Sequence, residues 1–111
     1  MEQKQRREPR VPFIASAELL DETSGTRMDS RISDLSFNGC YVDTVNPLPD
    51  GTVVHLKIFT ITHSFETSAT VVYSHAFMGM GMQFREVQPN HVEVLRMWLT
   101  EPTEQAESAH A

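Results

Sequence analysis

The sequence of 111 residues predicts a mostly β protein, an antiparallel barrel or sandwich with one helix at its C-terminal end. Three observations lead to this fold class. Several short segments alternate apolar and polar residues, as strands with one buried face do. Turn-forming residues separate these segments. The apolar period changes to that of an amphipathic helix only after residue 88, so the alternating strands and helices of a three-layer α/β enzyme are absent.

The first half of the chain contains three of the predicted strands. Residues 11–20 alternate, and the DETSG that follows supplies turn residues. Residues 27–35 alternate again, and residues 39–45 form a short β-prone segment before the strong turn signal NPLPDG. The face of the first strand that we expect in the core consists of Val11, Phe13, Ala15, Ala17 and Leu19.

Three further strands are predicted beyond NPLPDG. Residues 52–61 and 64–73 are rich in β-branched and aromatic types, and the short gap between them indicates a hairpin. Residues 77–86 form the last strand, in which Gly79 and Gly81 indicate a close backbone approach or a bend. The strand at 64–73 is expected to direct to one side Phe65, Thr67, Ala69, Val71 and Tyr73.

One amphipathic helix is predicted over about residues 89–100. Pro89 occupies a first-turn position that tolerates proline, and Pro102 ends the helical pattern. The apolar stripe that we expect to pack on the strands consists of Val92, Leu95, Trp98 and Leu99.

Charge and composition divide the chain into three parts. Residues 1–10 hold four of the nine Lys and Arg residues and are expected to form a flexible basic arm. Residues 11–100 form the barrel and helix, and residues 101–111 are expected to be a disordered acidic tail. The net charge of −6 argues against a general nucleic-acid binder, because phosphate backbones select basic surfaces.

The sequence also bears on location. No apolar run approaches the roughly 20 residues of a membrane helix, so membrane insertion is not expected. The N-terminal residues lack the apolar core of a signal peptide. We therefore expect a cytoplasmic protein.

Enzyme signatures are weak, and the sequence predicts no catalytic residue, metal or cofactor. The five histidines include no pair at metal-ligand spacing. Ser36 does not lie in a G-x-S-x-G nucleophile elbow. Asp29 and Asp34 are five residues apart on a predicted strand, which predicts that they face opposite sides and form no acid–base pair.

Two short motifs remain. Arg6 to Arg10 gives R-x-x-x-R, and Asp34 to Gly39 gives D-x-S-x-x-G just after a strand. Together, and in this order, they resemble the signature of the PilZ family of cyclic di-GMP receptors. The later GMGMQF resembles the glycine-rich pattern near the end of such domains, so the resemblance covers about residues 6–100. It implies a six-stranded antiparallel barrel of the PilZ-like, split-barrel type with one C-terminal helix.

The residue types suit that ligand. The guanidinium fork matches the adjacent O6 and N7 acceptors of guanine and pairs bidentately with phosphate. Carboxylate and hydroxyl groups can accept from guanine N–H donors, and glycine allows a tight turn or a close approach of backbone to ligand. By resemblance, Arg6 and Arg10 bind guanine edges and phosphates, and Arg7 is a secondary contact. The pocket is completed by Asp34, Ser36 and Gly39.

The resemblance predicts an effector that binds cyclic di-GMP and changes conformation or surface to signal in trans to a downstream protein partner. The alternative is a PilZ-fold adaptor that binds proteins and not the nucleotide. An oligonucleotide-binding barrel would need a basic sheet face with aromatic residues, and Arg and Lys are sparse in residues 52–61 and 64–73. We therefore expect no DNA or RNA partner, and a monomer or weak dimer.

Overall fold

The computed structural model of the protein describes residues 10–100. Six strands and one helix follow one another in this range. The strands are β1 (Val11–Asp21), β2 (Arg27–Leu35), β3 (Gly39–Asp43), β4 (Val53–Phe59), β5 (Ser64–His75) and β6 (Gly79–Phe84), and the helix is α1 (Pro89–Thr100). The predicted arm and tail lie outside the described residues, apart from Arg10.

The six strands close into an antiparallel barrel in the order β1–β2–β3–β6–β5–β4. Closure follows from β1, which pairs with β2 on one side and with β4 on the other. No strand within residues 10–100 is therefore left at a free sheet edge, where unpaired backbone groups would invite another chain. The predicted fold class is confirmed, and of the two architectures that the strand pattern allowed, the barrel is correct.

The barrel interior is filled by the alternating apolar residues of the strands. In β1 the predicted face is buried from Phe13 to Leu19, and Val11 at its start is half-buried. β4 buries the alternate residues Val54, Leu56 and Ile58. The other strands contribute Ile32, Leu35, Cys40, Val42, Phe65, Ala69, Val71, Met80, Met82 and Phe84.

Helix α1 packs against β5 and completes the core. Leu95 and Trp98 of the predicted stripe are fully buried, and Val92 and Leu99 beside them are half-buried. The Trp98 ring lies 5.0 Å from the Phe13 ring of β1, centroid to centroid. Across residues 10–100, no helix is long and apolar enough to cross a membrane.

The last strand begins later than predicted because a turn precedes it. The Met78 N–H donates to the His75 carbonyl at 3.0 Å, and Phe77 within this turn has a φ of 66°. A left-handed conformation is uncommon for an aromatic residue and is typical of turns. The Phe77 side chain is 80% exposed, so the turn directs it into solvent.

A bulge in β2 corrects the predicted orientation of Asp34. Ile32 pairs with Val42 of β3 and Asp34 pairs with Tyr41, so Ser33 is an extra residue on β2. This extra residue interrupts the alternation and turns Asp34 to the outer face of the barrel. The prediction that Asp29 and Asp34 face opposite sides was therefore wrong, since exposed Asp29 lies on the outer face as well.

A second bulge lies in β5, and it corrects the predicted orientation of Tyr73. Val71 pairs with Met82 of β6 and Tyr73 pairs with Gly81, so Val72 is the extra residue here. The core face of β5 is as predicted from Phe65 to Val71. Tyr73 was wrongly predicted to share that face, because the extra residue turns its ring to the outer surface.

Candidate functional site

The start of β1 and the end of β2 bring Arg10 and Asp34 together. Arg10 directly precedes β1, and the pairing of Pro12 with Asp34 places the two residues on adjacent strands. Arg10 Nη1 donates to Asp34 Oδ2 at 3.4 Å, and Arg10 Nη2 donates to the Tyr73 hydroxyl at 3.4 Å. We call the pair Arg10 and Asp34 the arginine site.

Only one of the two Asp34 carboxylate oxygens is hydrogen-bonded to a described residue. Its Oδ2 accepts from Arg10, but its Oδ1 is buried and has no hydrogen-bond partner within residues 10–100. Leaving a buried acceptor unsatisfied costs about 1–3 kcal/mol, and more when the group is charged. The arginine site therefore contains an unsatisfied acceptor, which an N–H donor could reach only after neighbouring side chains shift.

Ser36 and Gly39 form the turn between β2 and β3. Ser36 Oγ accepts from the N–H of Asn38 at 3.2 Å and of Gly39 at 3.1 Å, and it donates to the Gly39 carbonyl at 3.3 Å. A Cβ on Gly39 would collide with the Met82 carbonyl of β6. The backbone at Gly39 therefore lies close to the neighbouring strand β6. The Ser36 hydroxyl makes one donated and two accepted hydrogen bonds, all within the turn.

Three aromatic side chains that the sequence did not predict as site residues adjoin the arginine site. We call Tyr41 of β3 with Tyr73 and His75 of β5 the aromatic ledge. The ring centroids are 6.2 Å apart for Tyr41–Tyr73, 6.0 Å for Tyr41–His75 and 5.1 Å for Tyr73–His75. The Tyr41 hydroxyl is hydrogen-bonded to His75 Nδ1 at 3.1 Å.

The ledge lies beside Asp34 because of the strand register. Asp34 pairs with Tyr41, Tyr41 with Gly81, and Gly81 with Tyr73, which gives one row across four strands. Burial raises the pKa of Tyr41, and the nearby Tyr73, Asp43 and Asp34 raise it further. Tyr41 therefore remains a neutral hydroxyl at physiological pH.

Two of the predicted arginines cannot be placed. Arg6 and Arg7 lie outside the described residues, so Arg10 alone represents R-x-x-x-R at the site. Of the second motif, Asp34 is in direct contact with Arg10, whereas Ser36 and Gly39 are bonded to each other.

A second polar cluster lies elsewhere on the outer surface, in a cleft of about 1230 Å³. We call it the histidine cleft, after His55, Glu66 and His91 on its walls. His55 Nε2 lies 2.9 Å from Glu66 Oε1, and the Glu66 N–H donates to His91 Nδ1 at 3.2 Å. The hydrogen bond from His55 is the main cause that lowers the pKa of Glu66. Within residues 10–100, no three His, Cys, Asp or Glu side chains are grouped so as to hold a metal ion.

Comparison with known proteins identifies a family. The family model described as the PilZ domain matches residues 4–101. No curated protein matches the chain in sequence.

Solved structures share the fold. The PilZ domain with c-di-GMP of YcgR from Escherichia coli matches with a TM-score of 0.76 at 17% identity, over 96% of this chain and 98% of that one. The K. pneumonia MrkH–c-di-GMP complex matches with a TM-score of 0.73 at 16% identity, over 94% of this chain and 55% of that one. The Bacillus subtilis inhibitor of motility, MotI/DgrA, matches with a TM-score of 0.67 at 17% identity, over 86% of this chain and 52% of that one. This chain thus spans about half the length of the last two proteins.

Proposed function

The chain belongs to the PilZ domain family, and from this premise we propose that it is a cyclic di-GMP receptor that signals in trans to a partner protein and catalyses no reaction itself. The nucleotide binds at the arginine site, with Arg6 as a further contact and Arg7 as a secondary one. Ser36 and Gly39 hold the turn that follows Asp34. The solved PilZ structures with c-di-GMP support this choice of ligand.

The proposal depends on Asp34 Oδ1, which is buried and has no hydrogen-bond partner within residues 10–100. Guanine presents N–H donors on one edge and the acceptors O6 and N7 on another. Because Asp34 Oδ1 is enclosed in the free protein, neighbouring side chains must shift on binding, and an N–H donor from guanine then satisfies it. Binding would thereby remove the penalty of a buried acceptor that the free protein bears.

The loose contacts of Arg10 support the same ligand. Charge-assisted bonds between guanidinium and carboxylate are usually about 2.7–2.9 Å long. Both contacts of Arg10 measure 3.4 Å, so its guanidinium is loosely held. It can turn toward guanine O6 and N7 or toward a phosphate without giving up strong hydrogen bonds.

Isothermal titration calorimetry with cyclic di-GMP tests the proposal. We expect binding at micromolar concentration or tighter, with GTP and GMP much weaker. In Arg10→Ala the affinity should fall at least ~100-fold, because two charge-assisted bonds contribute about 1.5–3 kcal/mol each and 1.4 kcal/mol is tenfold.

Arg31→Ala is the matched control. Arg31 is also on the outer face and its Nε donates to Asp43 Oδ2 at 3.0 Å, but it is not in contact with Asp34. Its removal should leave the affinity within about twofold. An Arg10→Ala variant that binds as tightly as the wild type would place the site elsewhere. The alternative, a PilZ-fold adaptor that does not bind the nucleotide, predicts no binding heat for the wild type.

A further inference from the structure

The tyrosine rings of the aromatic ledge pack against the backbone of two glycines. A Cβ on Gly81 would collide with the ring of Tyr73, and a Cβ on Gly79 would collide with the ring of Tyr41. Both glycines lie in β6, the strand between β3 and β5. Each tyrosine ring therefore lies against the backbone of β6, and both tyrosines remain partly exposed.

Tyr73 is the member of the ledge that lies nearest the candidate ligand contacts. Its hydroxyl accepts from Arg10 Nη2, while Arg10 Nη1 donates to Asp34. A base that contacts both Arg10 and Asp34 thus comes beside the Tyr73 ring. Tyr41 and His75 pack against Tyr73 at 6.2 and 5.1 Å and support it from the sides.

The tilt of the rings limits how many can stack on one base. The ring planes of the ledge are inclined to one another by 35–42°. A planar base can lie parallel to one of these rings and not to all three. Because Tyr73 is bonded to Arg10, it is the ring that a bound base meets.

We propose that Tyr73 stacks a purine base of the ligand held by Arg10 and Asp34, so that the aromatic ledge is part of the binding site and Gly79 and Gly81 are required to leave room for its tyrosine rings. This inference rests on the proposed function, since it concerns the same ligand. Base–aromatic stacking tolerates any base, so the ledge adds affinity while the contacts of Arg10 and Asp34 select guanine.

Two substitutions at Tyr73, titrated with cyclic di-GMP, test the stacking. Tyr73→Phe keeps the ring and loses only the hydroxyl, and its affinity should stay within about threefold of the wild type. Tyr73→Leu removes the ring, and its affinity should fall about tenfold to a hundredfold. Phe77→Leu is the matched control, because Phe77 is an exposed aromatic of the adjacent turn and lies outside the ledge; its affinity should not change.

A fluorescence measurement gives a second, independent result. In Tyr73→Trp combined with Trp98→Phe, the one remaining indole lies on the ledge, and its emission should be quenched as cyclic di-GMP stacks on it. This variant reports on stacking even if Tyr73→Leu does not fold. Wild-type affinity in a folded Tyr73→Leu, or unchanged emission of the tryptophan variant while calorimetry shows binding, would overturn the ledge proposal and leave the arginine site standing. Absence of binding by the wild type would overturn both.

Discussion

The arginine site and the histidine cleft are both polar clusters on the outer surface of the barrel, but their polar groups are used differently. In the histidine cleft, Glu66 contacts His55 at 2.9 Å and its N–H contacts His91 at 3.2 Å. In the arginine site both contacts of Arg10 measure 3.4 Å, and Asp34 Oδ1 has no hydrogen-bond partner in the described part of the chain. The histidine cleft has a volume of about 1230 Å³, and its residues His55, Glu66 and His91 already bond to one another. Under the proposed function, unmet hydrogen-bonding capacity distinguishes the ligand site from the histidine cleft, and volume does not.

This difference separates two kinds of variant. A side chain whose partners lie within the chain contributes to stability, and its removal should alter unfolding and not ligand affinity. A side chain that lacks a partner should behave in the opposite way. The four predictions below apply this distinction, beginning with the largest expected effect.

Asp34→Ala should abolish cyclic di-GMP binding or weaken it at least ~100-fold, because the ligand loses a charged acceptor worth about 1.5–3 kcal/mol per bond. The fold should persist, since the removed carboxylate has one weak contact and one unsatisfied oxygen. Calorimetry measures the affinity and a thermal melt the stability. Loss of a cooperative melt would show that Asp34 is instead a structural residue of the strand end.

Ser36→Ala should lower the free energy of unfolding by about 1–3 kcal/mol, because the N–H groups of Asn38 and Gly39 lose their acceptor. Ser36 belongs to the D-x-S-x-x-G motif. Like the polar groups of the histidine cleft, however, its hydroxyl makes its hydrogen bonds within the protein. Urea denaturation measures the loss, and Ser33→Ala serves as a control for removal of a nearby hydroxyl. If Ser36→Ala is as stable as the wild type and loses affinity, the hydroxyl acts on the ligand and not on the turn.

His91→Phe should lower the free energy of unfolding by about 0.5–1.5 kcal/mol, because the Glu66 N–H loses its acceptor while the aromatic ring is kept. The ring of His91 lies edge-on to Phe65 at 6.0 Å, which the substitution preserves. Cyclic di-GMP affinity should stay within twofold. A marked loss of affinity in a folded His91→Phe would mean that the histidine cleft takes part in binding.

Glu66→Gln should give the smallest effect of the four, a change in how the free energy of unfolding depends on pH. Its pKa is lowered below 4.5 in the folded protein, mainly by the hydrogen bond from His55. A depressed carboxyl pKa contributes stability that is present above the unfolded pKa and is lost as pH falls through the folded value. Because Glu66 is 40% exposed, solvent screening holds this contribution below about 1 kcal/mol.

Thermal melts at pH 6 and below pH 4.5 would measure this contribution. The wild type should lose slightly more stability between the two values than Glu66→Gln does. Glu93→Gln, which alters an exposed carboxylate on α1, is the control. An identical acid dependence in the wild type and Glu66→Gln would show that the pair with His55 contributes nothing measurable.

The sequence was sufficient to predict the strands and the helix, and it singled out residues of the proposed site. Strict alternation located β1 and β4, where every second residue from Phe13 and from Val54 is buried. The change of period located α1, with Trp98 in the core. The motif D-x-S-x-x-G located Asp34, but motif spacing does not reveal that Ser36 is used within the turn.

Tyr73 shows why the sequence did not predict the aromatic ledge. Strict alternation along β5 assigned it to the core, and the bulge at Val72 leaves no clear mark in the sequence. A usable signal lay in β6 instead. Glycines at alternate positions, Gly79 and Gly81, leave room on the outer face of a strand, and an aromatic ring from a neighbouring strand is a common way to cover it.

The bulges at Ser33 and Val72 decide which face the later residues of β2 and β5 present. Side chains alternate with a period of two, so β2 paired without its bulge would bury Asp34 and expose Leu35. A relative that lacked Ser33 would need no bulge, because regular alternation from Ile32 would already bury Leu35 and expose Asp34. A relative that kept a residue at this position but paired the strand regularly would hide Asp34 inside the barrel. Two chains with identical motifs can therefore differ in whether they display Asp34, and the difference lies in strand pairing outside the motif.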